Sequence, residues 1–287
     1  MKPALFSCPT CGERLAPSPA RKALSCAAGH SFDIARQGYV SLMTGSKTPG
    51  DSPAMVQARD QFLVGGTYEP VAAAILESLR PWLAEQSVEG QERARPRLLA
   101  DLGGGTGWYA GYLLDHLPDF DGVLVDSSVA AAKLAARAHP RLAVATADLW
   151  KGIPLPSGAV DLALVVFAPR NPSEIARILA PAGLCLVVTP TPNHLRELRD
   201  CLPLLGIEAE KPTRLRQQFA SFVEAAPRLV EYQVRLTVAD VARVVAMGPN
   251  AFHLGADEIA TLAAGVGPQT VTVSVTLQRF RRPLPPG

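Results

Sequence analysis

One heptapeptide constrains this chain more than any other stretch: Asp101-Leu-Gly-Gly-Gly-Thr-Gly107, lying between an apolar run (residues 98–102) and a helical pattern (residues 108–116). Closely spaced glycines let the backbone reverse sharply between strand and helix, and let a ligand approach with no side chain in the way. Phosphate-loop NTPases require a Gly-Lys-Ser/Thr that does not follow here. Dinucleotide folds use G-x-G-x-x-G, with a pyrophosphate on the helix N-terminus. Here the third glycine, Gly107, arrives one residue early, and Asp101 would repel a pyrophosphate. A carboxylate at that place can instead accept hydrogen bonds from an ammonium-bearing amino-acid tail. A dinucleotide loop and a purely structural glycine turn are the alternatives.

The surrounding pattern alternates strand and helix. Apolar segments at 98–102, 122–125, 142–146, 160–167 and 183–189 read as strands, with helices at 128–138 and 172–179 between them. Near-continuous apolar strands of this kind belong to a parallel sheet covered on both faces. Segments 229–236 and 270–278 suit later antiparallel strands, and 54–63 and 70–83 read as helices separated by Gly65-Gly66. Three acids fall at the carboxyl ends of consecutive strands, where ligands bind in open α/β sheets. Asp101 precedes the glycine turn, Asp126 could hold ribose hydroxyls, and Asp148 could take an adenine amino group with Leu149 against the ring. Asp126 or Ser127 as a helix N-cap, and Asp148 as an ordinary loop acid, are the plainer readings. The set as a whole fits S-adenosyl-L-methionine, with Gly103 and Gly105 in the cofactor turn.

Five cysteines occur in the 287 residues, three of them within the first 26. Cys8-Pro-Thr-Cys11 and Cys26-Ala-Ala-Gly-His30 form two close pairs, the spacing of a zinc-ribbon knuckle. Cys₃His closes a tetrahedral structural Zn²⁺ site with no open position, so a catalytic metal is disfavoured. Metal binding would also order a segment with too little apolar material for its own core. A redox Cys-x-x-Cys would open a helix in a thioredoxin-like unit, which is absent. Cys185, in an apolar run, and Cys201, at a helix end, read as packing residues. The net charge of +2 announces no nucleic-acid partner. Residues 1–60 nevertheless carry Lys2, Arg14, Arg21, Lys22, Arg36, Lys47 and Arg59 against four acids. No signal-peptide h-region and no run long enough for a membrane span is visible. A soluble cytoplasmic protein without membrane association is expected.

Cys8-x-x-Cys11 with Cys26-x-x-x-His30-Ser-Phe-Asp-Ile-Ala-Arg-Gln-Gly-Tyr-Val-Ser-Leu42, followed by Gly50-Asp-Ser-Pro-Ala-Met-Val-Gln-Ala-Arg59 and Phe62-Leu-x-x-Gly-x-Tyr68, resembles the RlmA/TlrB family. The likeness continues through 101–107, Phe167-Ala-Pro169, Thr189-Pro-Thr-Pro-Asn-His-Leu195 and Met247-Gly-Pro249. The resemblance implies methylation of guanine N1 in a hairpin of 23S ribosomal RNA, macrolide (tylosin-type) resistance for some members, and a homodimer. It maps the metal ligands onto Cys8, Cys11, Cys26 and His30, and cofactor contacts onto Tyr68, Gly105, Thr106 and His194. Residue pattern alone would leave His194 an exposed helix-start residue. Gly104 and Thr106 depart from the Cys and Glu common in relatives.

The expected architecture is α/β: a Rossmann-like class I methyltransferase (residues 96–287) with a mostly parallel seven-stranded sheet. A zinc-ribbon-like module (1–45) and a linker with helices (46–95) precede it. Methyl transfer is chiefly positioning, and a guanine must be splayed from its hairpin to be reached. Phe167, with Ala168 to Asn171, is the candidate base-facing wall, Asn171 and backbone carbonyls reading the base edge; no general base stands out. A small-molecule methyltransferase would not need the zinc module, and a non-enzymatic zinc-ribbon RNA-binding protein would not need the three acids.

Overall fold

The computed structural model describes residues 5–18, 22–45, 50–86, 95–202, 212–248, 251 and 253–283. The basic residues Lys2, Arg21 and Lys47, and Pro249 of the Met-Gly-Pro motif, lie outside that set. The chain begins with β1 (Ala16–Pro17), β2 (Ala23–Ser25) and β3 (Ser31–Asp33), a small antiparallel sheet. Then β4 (Val40–Ser41) leaves it. Helix α1 (Pro53–Val64) starts where the Ser52 hydroxyl accepts from the Met55 amide and Pro53 supplies the first-turn geometry. Helix α2 spans Glu69–Gln86.

The alternating part runs β5 (Arg97–Leu102), α3 (Trp108–His116), β6 (Phe120–Asp126), α4 (Val129–Ala135), β7 (Leu142–Thr146), β8 (Val160–Val166), α5 (Pro172–Ile178) and β9 (Leu179–Pro190). The last part holds α6 (Arg196–Cys201), α7 (Pro212–Gln218), β10 (Val223–Glu224), β11 (Arg228–Leu236), α8 (Val238–Met247), α9 (Ala256–Val266) and β12 (Gln269–Arg281). One sheet carries the order β10-β12-β9-β8-β5-β6-β7-β4, with β11 also paired to β12. Strands β4 to β9 pair in parallel; β12 is antiparallel to β9, β10 and β11. Seven strands were expected. The sheet has nine because β4 of the amino-terminal region docks on β7 and the two-residue β10 extends the other edge.

All six residues of β5 are buried, and they alternate between two cores. Leu99 joins Leu124, Leu162 and Leu186 beneath α2, α3 and α8, while Leu98, Ala100 and Leu102 join Val123, Ala163 and Val187 on the opposite face. Phe6, Leu15 and Leu24 of the amino-terminal module belong to that second core. The module therefore shares the core of the large sheet, its Ser7 amide donating to the Pro154 carbonyl at 2.9 Å. Cys185 is buried in β9, its thiol pushed up to about 12 by burial, as packing requires. Cys201 departs from expectation: α6 ends at the surface and leaves it exposed. No helix among the described residues is long and apolar enough to cross a membrane.

Candidate cofactor cleft and metal centre

Strand order reverses around β5, which has β6 on one side and β8 on the other, and a crevice must open between the diverging connections. The glycine turn fills this position. Gly103, Gly105 and Gly107 have φ of 70°, 56° and 80°, conformations that side chains resist. A Cβ on Gly104 would stand 2.5 Å from the Asp101 carboxyl carbon and 2.6 Å from Leu124, so the turn packs directly on the ends of β5 and β6 with no room for a side chain there.

Around the turn lies a cleft of about 790 Å³. It brings together Tyr68, Asp101, Gly103, Gly105, Thr106, Asp126, Asp148, Leu149, Phe167 and His194, every cofactor-binding or base-facing candidate of the sequence except Asn171. Asn171 instead caps α5: its Oδ1 accepts from the Ser173 hydroxyl at 2.8 Å and the Glu174 amide at 3.4 Å, and its Nδ2 donates to the Leu149 carbonyl. Its carboxamide is committed to holding the loop and does not face the cleft.

Asp101 is 1% exposed, with its pKa raised to about 7, first by burial and then by the neighbouring Asp126 charge. Its Oδ2, the Thr106 hydroxyl and the Tyr109 hydroxyl are buried without a hydrogen-bond partner. Orphaned polar atoms of this kind are rare unless a ligand completes them. Asp126 is not an N-cap; Ser128 takes that role for α4. The two Asp126 oxygens accept from the Gly105 amide at 2.9 Å and the Ser128 amide at 2.8 Å, tying the glycine turn to the end of β6. Each retains a lone pair for a hydroxyl donor. Asp148 Oδ1 accepts from the Trp150 amide at 3.0 Å and so shapes the turn that carries Leu149 inward.

His194 is buried, contrary to its plain sequence reading, in the turn before α6. Its Nδ1 accepts from the Ser274 amide at 3.2 Å, so the ring proton is on Nε2, which donates to the Tyr68 hydroxyl at 3.0 Å. Burial, with Arg199 nearby, lowers its pKa to about 4 and keeps it neutral. Phe167 directly follows β8 with φ of 52°, its ring 5.9 Å from Tyr68 and 5.7 Å from His194. A positive φ on a bulky residue marks a conformation that its surroundings over-determine.

Sequence reasoning missed Arg59 as a cleft residue. It pairs with Asp51, donates to the Met247 carbonyl at 3.0 Å and lies 3.8 Å or less from the place of a Gly105 Cβ, so it locks α1 and α8 over the turn. The signal was present in the Asp51…Arg59 motif, but its partner at Met247 is 188 residues away.

At the other centre, two tight turns face each other, with Gly12 at φ 77° and Gly29 at φ 86°. The ligand atoms of Cys8, Cys11, Cys26 and His30 all lie within 4.8 Å of one another. Cys11 and Cys26 sulfurs are 3.6 Å apart, and Cys26 Sγ is 3.3 Å from His30 Nδ1. Zn–S bonds of about 2.3 Å in a tetrahedron give edges of roughly 3.8 Å, shorter where nitrogen replaces sulfur. The four residues fit a zinc ion.

A family model described as RlmA, N-terminal, a zinc ribbon, matches residues 6–47. A protein of Micromonospora griseorubida, named putative 23S rRNA (guanine-N(1)-)-methyltransferase, is 41% identical over 284 residues, covering 96% of each chain. The Streptomyces fradiae 23S rRNA (guanine(748)-N(1))-methyltransferase is 42% identical over 281 residues, 97% of this chain and 96% of its own. A Bacillus subtilis protein, YxjB, with the same putative description is 28% identical over 208 residues and 69% of each chain. Identity above two-fifths along almost the whole length of two such proteins places this chain in the family of 23S ribosomal RNA (guanine-N1-)-methyltransferases.

Proposed function

We propose that this chain methylates N1 of a guanine in a hairpin of 23S ribosomal RNA, at the position equivalent to guanine 748 of the S. fradiae relative's name. S-Adenosyl-L-methionine supplies the electrophilic methyl group, and a structural zinc ion orders the amino-terminal module. The observation that carries the reading is the welding of that module into the catalytic sheet: β4 pairs with β7, and Phe6, Leu15 and Leu24 enter the shared core. A small-molecule methyltransferase has no use for such an addition, whereas an RNA hairpin needs a second hold on its backbone and shape. Within this reading, residues 1–45 grip RNA, 46–95 join and cover the cleft, and 96–287 carry out transfer. A homodimer would present two such modules to one RNA.

In the cleft, Asp101 receives the cofactor ammonium, Asp126 the ribose diol, and Asp148 with Leu149 the adenine. Gly103, Gly105 and Thr106 line its path, and Tyr68 with His194 closes the methionine end. Phe167 is the wall for the splayed guanine. Guanine N1 is a weak nucleophile until its proton leaves or is shared. His194 cannot take that proton, because one nitrogen already carries hydrogen and the other is held by the Ser274 amide.

Unmodified 23S ribosomal RNA incubated with protein and labelled cofactor should gain label in one guanine, and that guanine should stop reverse transcription because N1 methylation blocks the pairing edge. Absence of label in RNA would sink the proposal. Expression in a macrolide-sensitive host should raise the tolerated concentration of a tylosin-type drug. Tyr68→Phe keeps the ring and removes the hydroxyl; cofactor affinity measured calorimetrically should fall about five- to tenfold, as expected for one buried hydrogen bond.

A further inference from the structure

Among the described residues, Trp150 and Phe167 are the aromatic side chains that stay largely exposed, at 63% and 41%, and both line the cofactor cleft. Phe167 has an account in the reading above; Trp150 has none. Its placement is specific. The carboxylate of Asp148 accepts from the Trp150 amide, and the Asp148 carbonyl accepts from the Lys151 amide at 3.0 Å. That tight turn sends Leu149 into the cleft, 7% exposed, and the indole of Trp150 out to the rim. The adenine-side wall is thus already supplied by Leu149, and the indole is left as a second, outer surface.

The turn also stands between two parts of the molecule. It follows β7, the strand on which β4 docks, and Lys151 Nζ lies 3.5 Å from the carbonyl of Thr44, where the chain leaves the zinc module. An RNA held at once by the zinc module and by the cleft must cross this rim. An exposed indole at such a crossing offers a flat π-face that any base can stack on, whatever its sequence.

We propose that Trp150 is a stacking platform for the unpaired base next to the target guanine, a positioning residue that holds the hairpin loop open beside the cleft. The proposal rests on the ribosomal RNA reading above. It predicts a residue that acts on RNA and not on cofactor.

The test uses the full zinc-loaded chain, a synthetic unmodified hairpin of the target loop, and S-adenosylmethionine measured separately. Trp150→Ala should weaken hairpin binding by about tenfold or more, as base–aromatic stacking does, and leave cofactor affinity within twofold. Trp150→Phe should recover most of the RNA affinity. The indole emission of the wild-type protein should be quenched by hairpin, and that quenching should vanish in Trp150→Ala. Unchanged hairpin binding in Trp150→Ala, or a loss that Trp150→Phe does not recover, overturns the assignment. An equal loss of cofactor affinity moves the indole to the adenine and overturns it as well. If the wild-type protein neither binds nor methylates the hairpin, the underlying reading falls; wild-type binding with an indifferent Trp150→Ala removes the stacking role alone.

Discussion

Replacing Asp101 with asparagine is expected to raise the melting temperature of the cofactor-free protein at pH 8 while abolishing cofactor binding. The carboxyl group is 1% exposed, lies beside a second acid and has one oxygen with no hydrogen-bond partner. Its pKa rises from 3.8 to about 7 on folding. A group shifted in that direction holds a proton in the folded chain that the unfolded chain has already lost. Its stabilising contribution is complete below about pH 4 and disappears as pH climbs through about 7. Three pKa units correspond to about 4 kcal/mol, at about 1.4 kcal/mol each. Relief of even a third of that would raise the melting temperature by a few degrees. Asparagine removes the charge and keeps the shape, but it cannot neutralise an ammonium group. Calorimetric titration should show cofactor affinity of the wild-type protein weakening as pH drops below about 7, and no binding by the variant at any pH. A melting difference between the two proteins that is the same at pH 4 and pH 8 would contradict the argument.

Removing one metal ligand should have the other large effect. Cys26→Ser is expected to lower zinc content from a full complement to near none and to lower the melting temperature by 10 °C or more. In small zinc modules the apparent binding free energy, on the order of 10 kcal/mol, is largely folding free energy. Here the module is not free-standing. Its Phe6, Leu15 and Leu24 belong to the same core as Ile153, Val165 and Val187, and the Leu42 amide donates to the Thr146 carbonyl at 2.8 Å. Collapse of the knuckles would therefore open one flank of the large sheet. Hydrogen exchange should report lost protection at Leu42 and along β7; loss confined to residues 5–33 would show that the large sheet stands without the module. Alanine at Cys8 or Cys11 should likewise release the ion.

The parallel strands, the glycine turn and the zinc ligands were legible because each is written locally. Buried parallel strands are continuous apolar runs, a strand-to-helix reversal needs glycine, and paired knuckles have short spacings. What escaped was decided at a distance or by a competing local role. Helix α8 is rich in valine and resembles a strand. The cue that overrules this is the capping box between Thr237 and Asp240. Asn171 before Pro172 carries a helix-start signature, and that role claims the side chain offered for base reading. Burial of His194 depends on Ser274, 80 residues further along, and Arg59 finds its partner across α8. The strand β4 is two residues long, so only its neighbour β7 makes it a strand at all.

The histidine–tyrosine pair has a polarity that begins in the main chain. An amide of β12 donates to His194, His194 donates to Tyr68, and the phenolic proton is the last in the series, on a side chain that lines the cleft. A wire that ends in a free O–H favours a group that receives hydrogen. The amino-acid end of the cofactor has one group of each kind: an ammonium, which Asp101 can accept from, and a carboxylate, which Tyr68 can donate to. Two neighbouring sites of opposite hydrogen-bonding sense would thus fix which way round the tail lies, and with it the face from which the methyl group is presented.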